Sequence, residues 1–238
     1  MSSLSRKKGK AQQPQSRDAI PSVLLDVRET LYTTASLESF VKRIKGGPKP
    51  EFPWSNFVEA NKAIKKNDKA AAISLLKQIT AAEGLATRLH LQAWHSLRSL
   101  GELPPESLRG QIQGFIIEKH MDEGLDIIAA YADHTARYWS YTGAGIALDA
   151  RDPEIDPLID NLLSVGQEIM KTIGLDQREN LPVPAQGNTR LFMTGFGGSC
   201  LGEGPSIHLI RDRMAGTAIS AGNNLMMGIL EKAKKSFK

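Results

Sequence analysis

Residues 112–148 read IQGFIIEKHMDEGLDIIAAYADHTARYWSYTGAGIAL, and their pattern is that of an antiparallel sheet. Runs of β-branched and aromatic residues alternate with compact polar turns at 121–124, 133–135 and 142–143. Short runs separated by such turns are typical of consecutive β-hairpins. The segment therefore predicts four strands that follow one another in a sheet.

One long helix is predicted after these strands. Apolar residues recur at intervals of three and four from Ile155 to Ile173, which is the period of one helix face, and Gly174 follows them. Asp152 suits the N-cap, and Pro153 suits the first turn, where the missing N–H of proline costs nothing. We therefore expect a helix that opens at Asp152 and ends at Gly174.

The last part of the chain predicts two more strands and a closing helix. Residues 191–193 are apolar, a glycine turn and a second short apolar run follow, and a helical period begins near Ala215. The expected inward face of that helix is Ala218, Gly222, Leu225, Ile229 and Ala233. Residues 106–238 therefore predict an antiparallel α+β domain with the element order ββββαββα.

Residues 21–105 predict about five helices, arranged as a hairpin or small bundle. The apolar stripe of the first helix is Val23, Leu24, Val27 and Leu31. Ser36 suits the N-cap of the second helix, and glycines and prolines at 46–53 form an extended connector after it. The whole chain is therefore expected to be an α+β protein with its helical region first.

The third and fourth helices resemble one tetratricopeptide unit. Ala60 stands at the small-residue contact, residues 67–68 at the tight turn, and Ala72, Ile73 and Leu76 on the returning helix. The resemblance covers about one repeat and implies a surface for protein partners. No second copy recurs at the repeat's spacing of about 34 residues. An ordinary α-hairpin within a bundle is therefore the other interpretation.

Positive charge is concentrated at the amino terminus. Of the 30 basic and 26 acidic residues, five basic and one acidic lie within residues 1–20, which leaves 25 of each in the rest. Domains that bind nucleic acid usually carry a basic folded face, so we expect a protein partner instead. Residues 1–20 are polar and contain Gly9 and Pro14, and they predict a disordered basic tail.

The apolar runs and the cysteine content predict a cytoplasmic protein. The sequence contains no run of eighteen apolar residues, the length that a membrane-spanning helix needs. No apolar segment of a secretory signal follows the basic leader. Cys200 is the single cysteine, so neither an intrachain disulfide nor a zinc site with several thiolates is expected.

Residues 195–205 read GFGGSCLGEGP and form the densest glycine segment of the chain. A phosphate-binding loop of the Walker type would need Lys and Ser or Thr after the last glycine, and a dinucleotide fingerprint would open a helix. Neither follows here, so a tight β-hairpin is the favoured interpretation. If the segment binds a ligand instead, we expect close backbone approach at Gly197 and Gly198.

Cys200 in this segment is the candidate nucleophile of a hydrolase. A catalytic thiol needs a histidine to lower its pKa and a third group to orient that histidine. His134 and His208 are the candidate histidines, and Asp133 or Glu203 the orienting group. The alternative is an inert thiol inside the core.

The histidines do not predict a metal site. His90 and His95 are five residues apart, which places them on different faces of a helix. His120, Asp122 and Glu123 could approach a hard cation across the first hairpin turn, but polar residues are ordinary at an exposed turn. We therefore predict neither a metal nor a cofactor.

Aromatic residues and one arginine predict a binding face on the third strand. Arg137, Trp139 and Tyr141 alternate along the strand and so share one face, while Tyr138 points to the other. Trp, Tyr and Arg are the residues that dominate protein-binding hot spots. The alternative is a half-buried sheet that packs under a helix.

These observations favour a non-enzymatic protein-interaction module, an adaptor or subunit of a larger assembly that could also form a homo-oligomer. The first alternative is a cysteine-dependent hydrolase that uses Cys200. The second is a small-ligand-sensing domain, in which the sheet and the loop at 175–188 enclose a pocket.

Overall fold

The computed structural model describes residues 20–44, 50–175 and 181–236. Within these residues a helical region precedes an antiparallel sheet, so the predicted α+β class is confirmed. The predicted basic tail lies outside the described residues, apart from its last residue, Ile20.

The amino-terminal region contains five helices and a single helical turn. They are α1 (Ser22–Tyr32), α2 (Leu37–Ile44), α3 (Trp54–Lys65), α4 (Lys69–Ala81), α5 (Thr87–Ser99) and the turn α6 (Glu106–Arg109). The hydroxyl of Ser36 accepts the backbone N–H of Ser39 at 3.2 Å, as an N-cap residue should. Asp68 caps α4 in the same way by accepting the N–H of Ala71 at 3.0 Å.

The inward face of α1 differs from the predicted stripe. Leu24, Arg28 and Leu31 are buried, whereas Val23 is 41% exposed. Consecutive residues of a helix point about 100° apart, so a face centred on Leu24 and Leu31 leaves Val23 on the flank. The buried set therefore includes a charged residue that the apolar stripe omitted.

Helices α2, α3, α4 and α5 share one hydrophobic cluster, and this arrangement is a small bundle. The α3–α4 hairpin contributes Ala60, Ala72 and Leu76, and α5 contributes Trp94 and others. The hairpin that resembles a tetratricopeptide unit therefore packs against α2 and α5.

The sheet has six strands in the described part of the chain. They are β1 (Ile112–Met121), β2 (Gly124–Tyr131), β3 (Ala136–Trp139), β4 (Gly145–Leu148), β5 (Asn188–Gly195) and β6 (Gly198–Pro205). Their spatial order is β4-β3-β2-β1-β5-β6, and all neighbouring strands are antiparallel. The remaining helices are α7 (Asp156–Ile173), the turn α8 (Ser206–Leu209) and α9 (Arg213–Ser236). The four-strand meander is thus confirmed, and α6 and α8 are additions to the predicted order.

Helix α7 begins later than Asp152, where the sequence predicted its cap. The Asp152 carboxylate accepts the N–H of Glu154 at 2.9 Å, and its carbonyl oxygen accepts the N–H of Asp156 at 2.7 Å. These bonds form a separate turn that contains Pro153 and leads into the helix. The end at Gly174 is as predicted, with the Gly174 N–H donating to Met170 O at 3.0 Å.

The sheet lies between two helical layers. Its one face packs on α7 and α9, where a Cβ added to Gly222 would lie 2.4 Å from Cδ1 of Ile117. Its other face packs on α1 and α5, with Leu24 and Leu91 against Ile127. The predicted helical region 21–105 and the sheet therefore share a core. Among the described residues, no helix has both the length and the apolar character needed to cross a bilayer.

Candidate functional site

A cleft of about 730 Å³ opens between the helices of the amino-terminal region. Its walls come from α1, α2 and α5, and from the start of α3 with the residues before it. The apolar side chains that line it are Phe40, Ile44, Pro50, Trp54, Ala86 and Leu89. This volume lies within the roughly 300–1,000 Å³ of small-molecule sites, which are also mainly apolar. We call it the helical cleft.

An aromatic wall forms one side of the helical cleft. The rings of Phe40 and Trp54 stack with their centroids 6.0 Å apart. Phe40 also meets the edge of Phe57 at 4.7 Å, and Phe57 is fully buried in the bundle. Trp54 remains 39% exposed, so this wall combines a fixed base with a ring that a ligand can reach.

The opposite wall, α5, is fixed to the sheet and to the α1–α2 connection. The carboxylate of Asp133, in the β2–β3 turn, accepts the N–H of Thr87 at 2.7 Å and the N–H of Thr135 at 3.0 Å. Burial alone would raise the pKa of Asp133, but these hydrogen bonds outweigh it and lower that pKa. The side chain of Gln92 donates to Ala35 O at 2.8 Å. Asp133 therefore positions a helix, which differs from the role of orienting a catalytic histidine.

Arg88 brings a positive charge with unused donors to the helical cleft. It lines the cleft, and its Cζ lies 5.6 Å from the centroid of the Tyr131 ring. Its Nε is buried and has no hydrogen-bond partner among the described residues. Arg43, on the rim, differs because it forms an ion pair with Glu29.

A second cavity of about 490 Å³ lies between α1, the α1–α2 connection and residues 181–183. Arg28 forms its inner side, and its Nη2 donates to the carbonyl oxygens of Leu181 and Pro182 at 3.2 Å each. Residues 181–183 of the loop at 175–188 therefore line a cavity, but its other wall is α1 with the α1–α2 connection, where the sequence predicted the sheet. Residues 176–180 lie outside the described part of that loop.

A buried ionic network lies beneath Arg28. Glu118 on β1 is fully buried, and both its oxygens accept hydrogen bonds from Arg28. Arg190 on β5 donates to Glu118 at 3.2 Å and to Glu203 on β6 at 2.6 Å. Burial would lower the pKa of Arg28, but the hydrogen bond and charge of Glu118 outweigh it and raise that pKa. Arg28 therefore stays charged, and the network links α1 to three strands.

Tyr32 adds a buried hydroxyl to this network. Its ring packs on Phe192 with centroids 4.4 Å apart, and its oxygen has no partner with hydrogen-bond geometry among the described residues. Burial, followed by the negative charge of Glu118, raises the pKa of this hydroxyl well above its ordinary value. Tyr32 is therefore neutral, and its ring packs on Phe192 of the core.

The structure does not bring the three candidate catalytic residues together. Cys200 is 1% exposed and lies in the core between the sheet and α7 and α9. The strand that leads to His134 is three strands from β6, about 14 Å at ordinary strand spacing. His134 contacts Asp160 at 2.9 Å instead. His208 is exposed in α8, beyond the far end of β6.

The residues expected on an aromatic binding face differ in their exposure. Arg137 is 7% exposed, donates to Leu148 O at 2.8 Å and pairs with Asp149. Trp139 is half-buried beside the α1 and α5 layer. Tyr141 lies past the end of β3 and is 43% exposed. The half-buried sheet, the alternative to a binding face, describes this region.

The glycine segment forms the predicted tight hairpin between β5 and β6. Gly195 pairs with Gly198, and a two-residue turn joins them. A Cβ at Gly197 would lie 2.5 Å from the backbone oxygen of Arg109, so that chain crosses too closely for any side chain. Gly198 has a φ of 148°, which favours glycine. Chain packing therefore accounts for both residues without a ligand.

Two of the three residues considered for a hard cation have other partners. His120 Nδ1 lies 2.8 Å from Pro184 O, and Asp122 accepts a hydrogen bond from Gln186 at 3.3 Å. Nowhere in the described ranges do three or more His, Cys, Asp or Glu side chains form a group that could hold a metal.

Sequence reasoning missed Arg88 and Arg28, which line the two cavities, and Glu118 and Arg190, which form the network beneath Arg28. Glu118 carried a usable signal, because it follows three apolar residues in a run that predicts a strand. It therefore had to be either a buried charge or the end of that strand. Arg88 carried none, since its position depends on how α5 packs over Tyr131.

Compared with protein-family models, with curated proteins and with solved structures, the chain matches none of them.

Proposed function

We propose that this protein is a non-enzymatic, small-ligand-binding domain and that its ligand occupies the helical cleft. The observation that carries the proposal is the combination of a ligand-sized volume with a mainly apolar lining. An apolar ligand that enters gains roughly 25 cal/mol for each Å² removed from water. Both walls are held in place without a ligand, by Phe57 on one side and by Asp133 on the other, so binding needs little ordering.

The other two functions remain hypotheses with less support. The adaptor hypothesis relied in part on a surface that contains Arg137 and Trp139. A stable protein interface needs about 800 Å² of exposed surface on each partner, whereas Arg137 is buried and Trp139 is half-buried. The hydrolase hypothesis requires a reachable thiolate at Cys200, which is buried. The cytoplasmic location belongs to this proposal and is supported by the single cysteine and its place in the core.

The proposal is tested with N-phenyl-1-naphthylamine, a neutral probe that fluoresces in apolar sites. We expect one probe to bind per chain. Ala86→Phe should weaken binding at least about tenfold, because the added ring occupies cleft volume that the probe needs. Ala86 has extended backbone angles, φ −57° and ψ 137°, that phenylalanine adopts readily.

Ala150→Phe is the matched control, because Ala150 is exposed and is not among the residues that line the cleft. It should leave probe binding unchanged. Binding that is equally strong in a folded Ala86→Phe variant and in wild type would contradict the proposal.

A further inference from the structure

We infer that the ligand of the helical cleft is a small monocarboxylic acid with an apolar chain, and that Arg88 binds its carboxylate. The inference rests on the proposed function and names the ligand class of the same site. Three observations carry it: the unpaired Nε of Arg88, the charges around Arg88, and the apolar composition of the other walls.

Arg88 has donor capacity that the protein leaves unused. A guanidinium has five N–H donors and carries its charge at any ordinary pH. The described residues offer its buried Nε no acceptor, and none of their carboxylates forms an ion pair with it. A buried donor without a partner is costly and rare in folded proteins. A carboxylate is the group that satisfies a guanidinium best, since it accepts two parallel hydrogen bonds.

The charges near Arg88 favour an anion there. Arg137 lies close enough that the like charge of Arg88, after burial, helps to lower the pKa of Arg137. Asp133 also lies near Arg88, whose charge adds to the hydrogen bonds from Thr87 and Thr135 in lowering the pKa of Asp133. Its two oxygens accept those hydrogen bonds, and among the described residues it forms no ion pair with Arg88. Glu29 is neutralised by Arg43 at the rim, so it does not compete for Arg88. The inner side of α5 is therefore the positive end of the cleft.

The other walls select the rest of the ligand. The stacked rings of Phe40 and Trp54 and the side chains of Ile44 and Leu89 offer apolar surface. An alkyl or aromatic chain can cover that surface while its carboxylate lies at Arg88. The volume of about 730 Å³ suits a whole small molecule of this kind.

The experiment compares octanoate with 1-octanol by titration calorimetry, because the two share a chain and differ in charge. Wild type should bind octanoate about 10- to 100-fold more tightly than octanol, which is the range for a hydrogen-bonded charge pair. Arg88→Met should remove that difference and leave octanol binding unchanged, since methionine keeps the apolar stem. Arg88→Lys should restore part of it.

Two further readouts tie the effect to Arg88. Arg151→Met, a control outside the cleft lining, should alter octanoate binding less than about threefold, because Arg151 lies in an exposed pair with Asp156. In ¹H–¹⁵N spectra, the Nε–H signal of Arg88 should shift on addition of octanoate and stay in place with octanol.

The outcomes separate this inference from the proposed function. If octanoate and octanol bind equally well, the cleft binds apolar ligands but the assignment of Arg88 is wrong. If Arg88→Met keeps the full preference for octanoate, or if Arg151→Met costs as much, the carboxylate does not lie at Arg88 and the inference fails. If neither compound binds, both the inference and the proposed function fail. If only a peptide with a free, apolar carboxyl terminus binds, the small-molecule class is wrong.

Discussion

Arg28 and Glu118 stand 90 positions apart in the chain and meet in a two-point ion pair that water hardly reaches. Arg190 bonds the same carboxylate at 3.2 Å from the next strand. Two arginines on one buried carboxylate hold α1 on the sheet at the end of the sheet where residues 181–183 cross. The position of α1, and with it one wall of the helical cleft, depends on this network.

Removal of Arg28 should therefore be expensive. Arg28→Met leaves Glu118 buried with a single cation, and the loss of one partner from a buried pair costs about 3–5 kcal/mol of unfolding free energy. Lys62→Met is the matched control, since Lys62 and Glu59 form an exposed pair at 2.7 Å and such pairs are worth about 0–1 kcal/mol. Urea unfolding of both variants measures the difference. Similar costs for the two would mean that the network does not hold α1.

The close crossing at the β5–β6 turn makes one glycine indispensable and another replaceable. Gly197→Ala should destabilise the protein by about 1–3 kcal/mol, because its methyl group would overlap the Arg109 oxygen and the chain must shift. Gly202 lies on β6, the strand that follows this turn, and has open space around it, so Gly202→Ala should be neutral or stabilising by about 0.4–1 kcal/mol. Thermal unfolding of the pair tests this. The prediction is wrong if Gly202→Ala is the costlier change.

Cys200 should behave as a core residue. We expect iodoacetamide to label the native protein slowly and the urea-unfolded protein rapidly, because the thiol is 1% exposed. Mass spectrometry after timed quenching measures both rates. Rapid native labelling that is complete below about pH 7, together with loss of a hydrolytic activity in Cys200→Ser, would support the hydrolase instead.

The protein should lose stability in mildly acid solution through His90. Burial lowers the pKa of His90 below its ordinary 6.5, so the unfolded chain binds this proton more readily than the folded one. Stability from His90 is therefore fully present above about pH 6.5, the unfolded pKa, and is lost as the pH falls from there through the lower pKa of the folded state. His90→Gln should flatten the dependence between about pH 7.5 and 5.5, which urea titrations at each pH measure. His208→Asn, at an exposed position, should leave it unchanged.

Local pattern predicted the elements of this fold well and their contacts poorly. The meander, the long α7 and the inward face of α9 follow from apolar periods and turn residues, which act over a few positions. The face on which Arg137 lies was also predictable, but its burial was not, because that depends on the pairing of β3 with β4 and on Asp149.

The site needed information that no single segment carries. Arg88 and Tyr131 are 43 positions apart, and only the docking of α5 on the sheet places one over the other. Arg28 was not included in the predicted stripe of α1, because its burial depends on Glu118, a partner in a different element. The glycine segment could not be interpreted from its sequence alone, because glycines suit ligand loops and tight chain crossings equally. Here the crossing chain is the protein's own.

Tyr131 contacts two of the helices that line the helical cleft, α1 and α5. Its hydroxyl donates to Leu31 O at 2.7 Å at the end of α1, and its ring supports Arg88 at the start of α5. Neither helix can move away from the sheet without breaking a contact to Tyr131, so α1, α5 and the sheet should move as one unit. Amide protons of α1 and α5 should then exchange with deuterium at rates close to those of β2, as members of one cooperative unit.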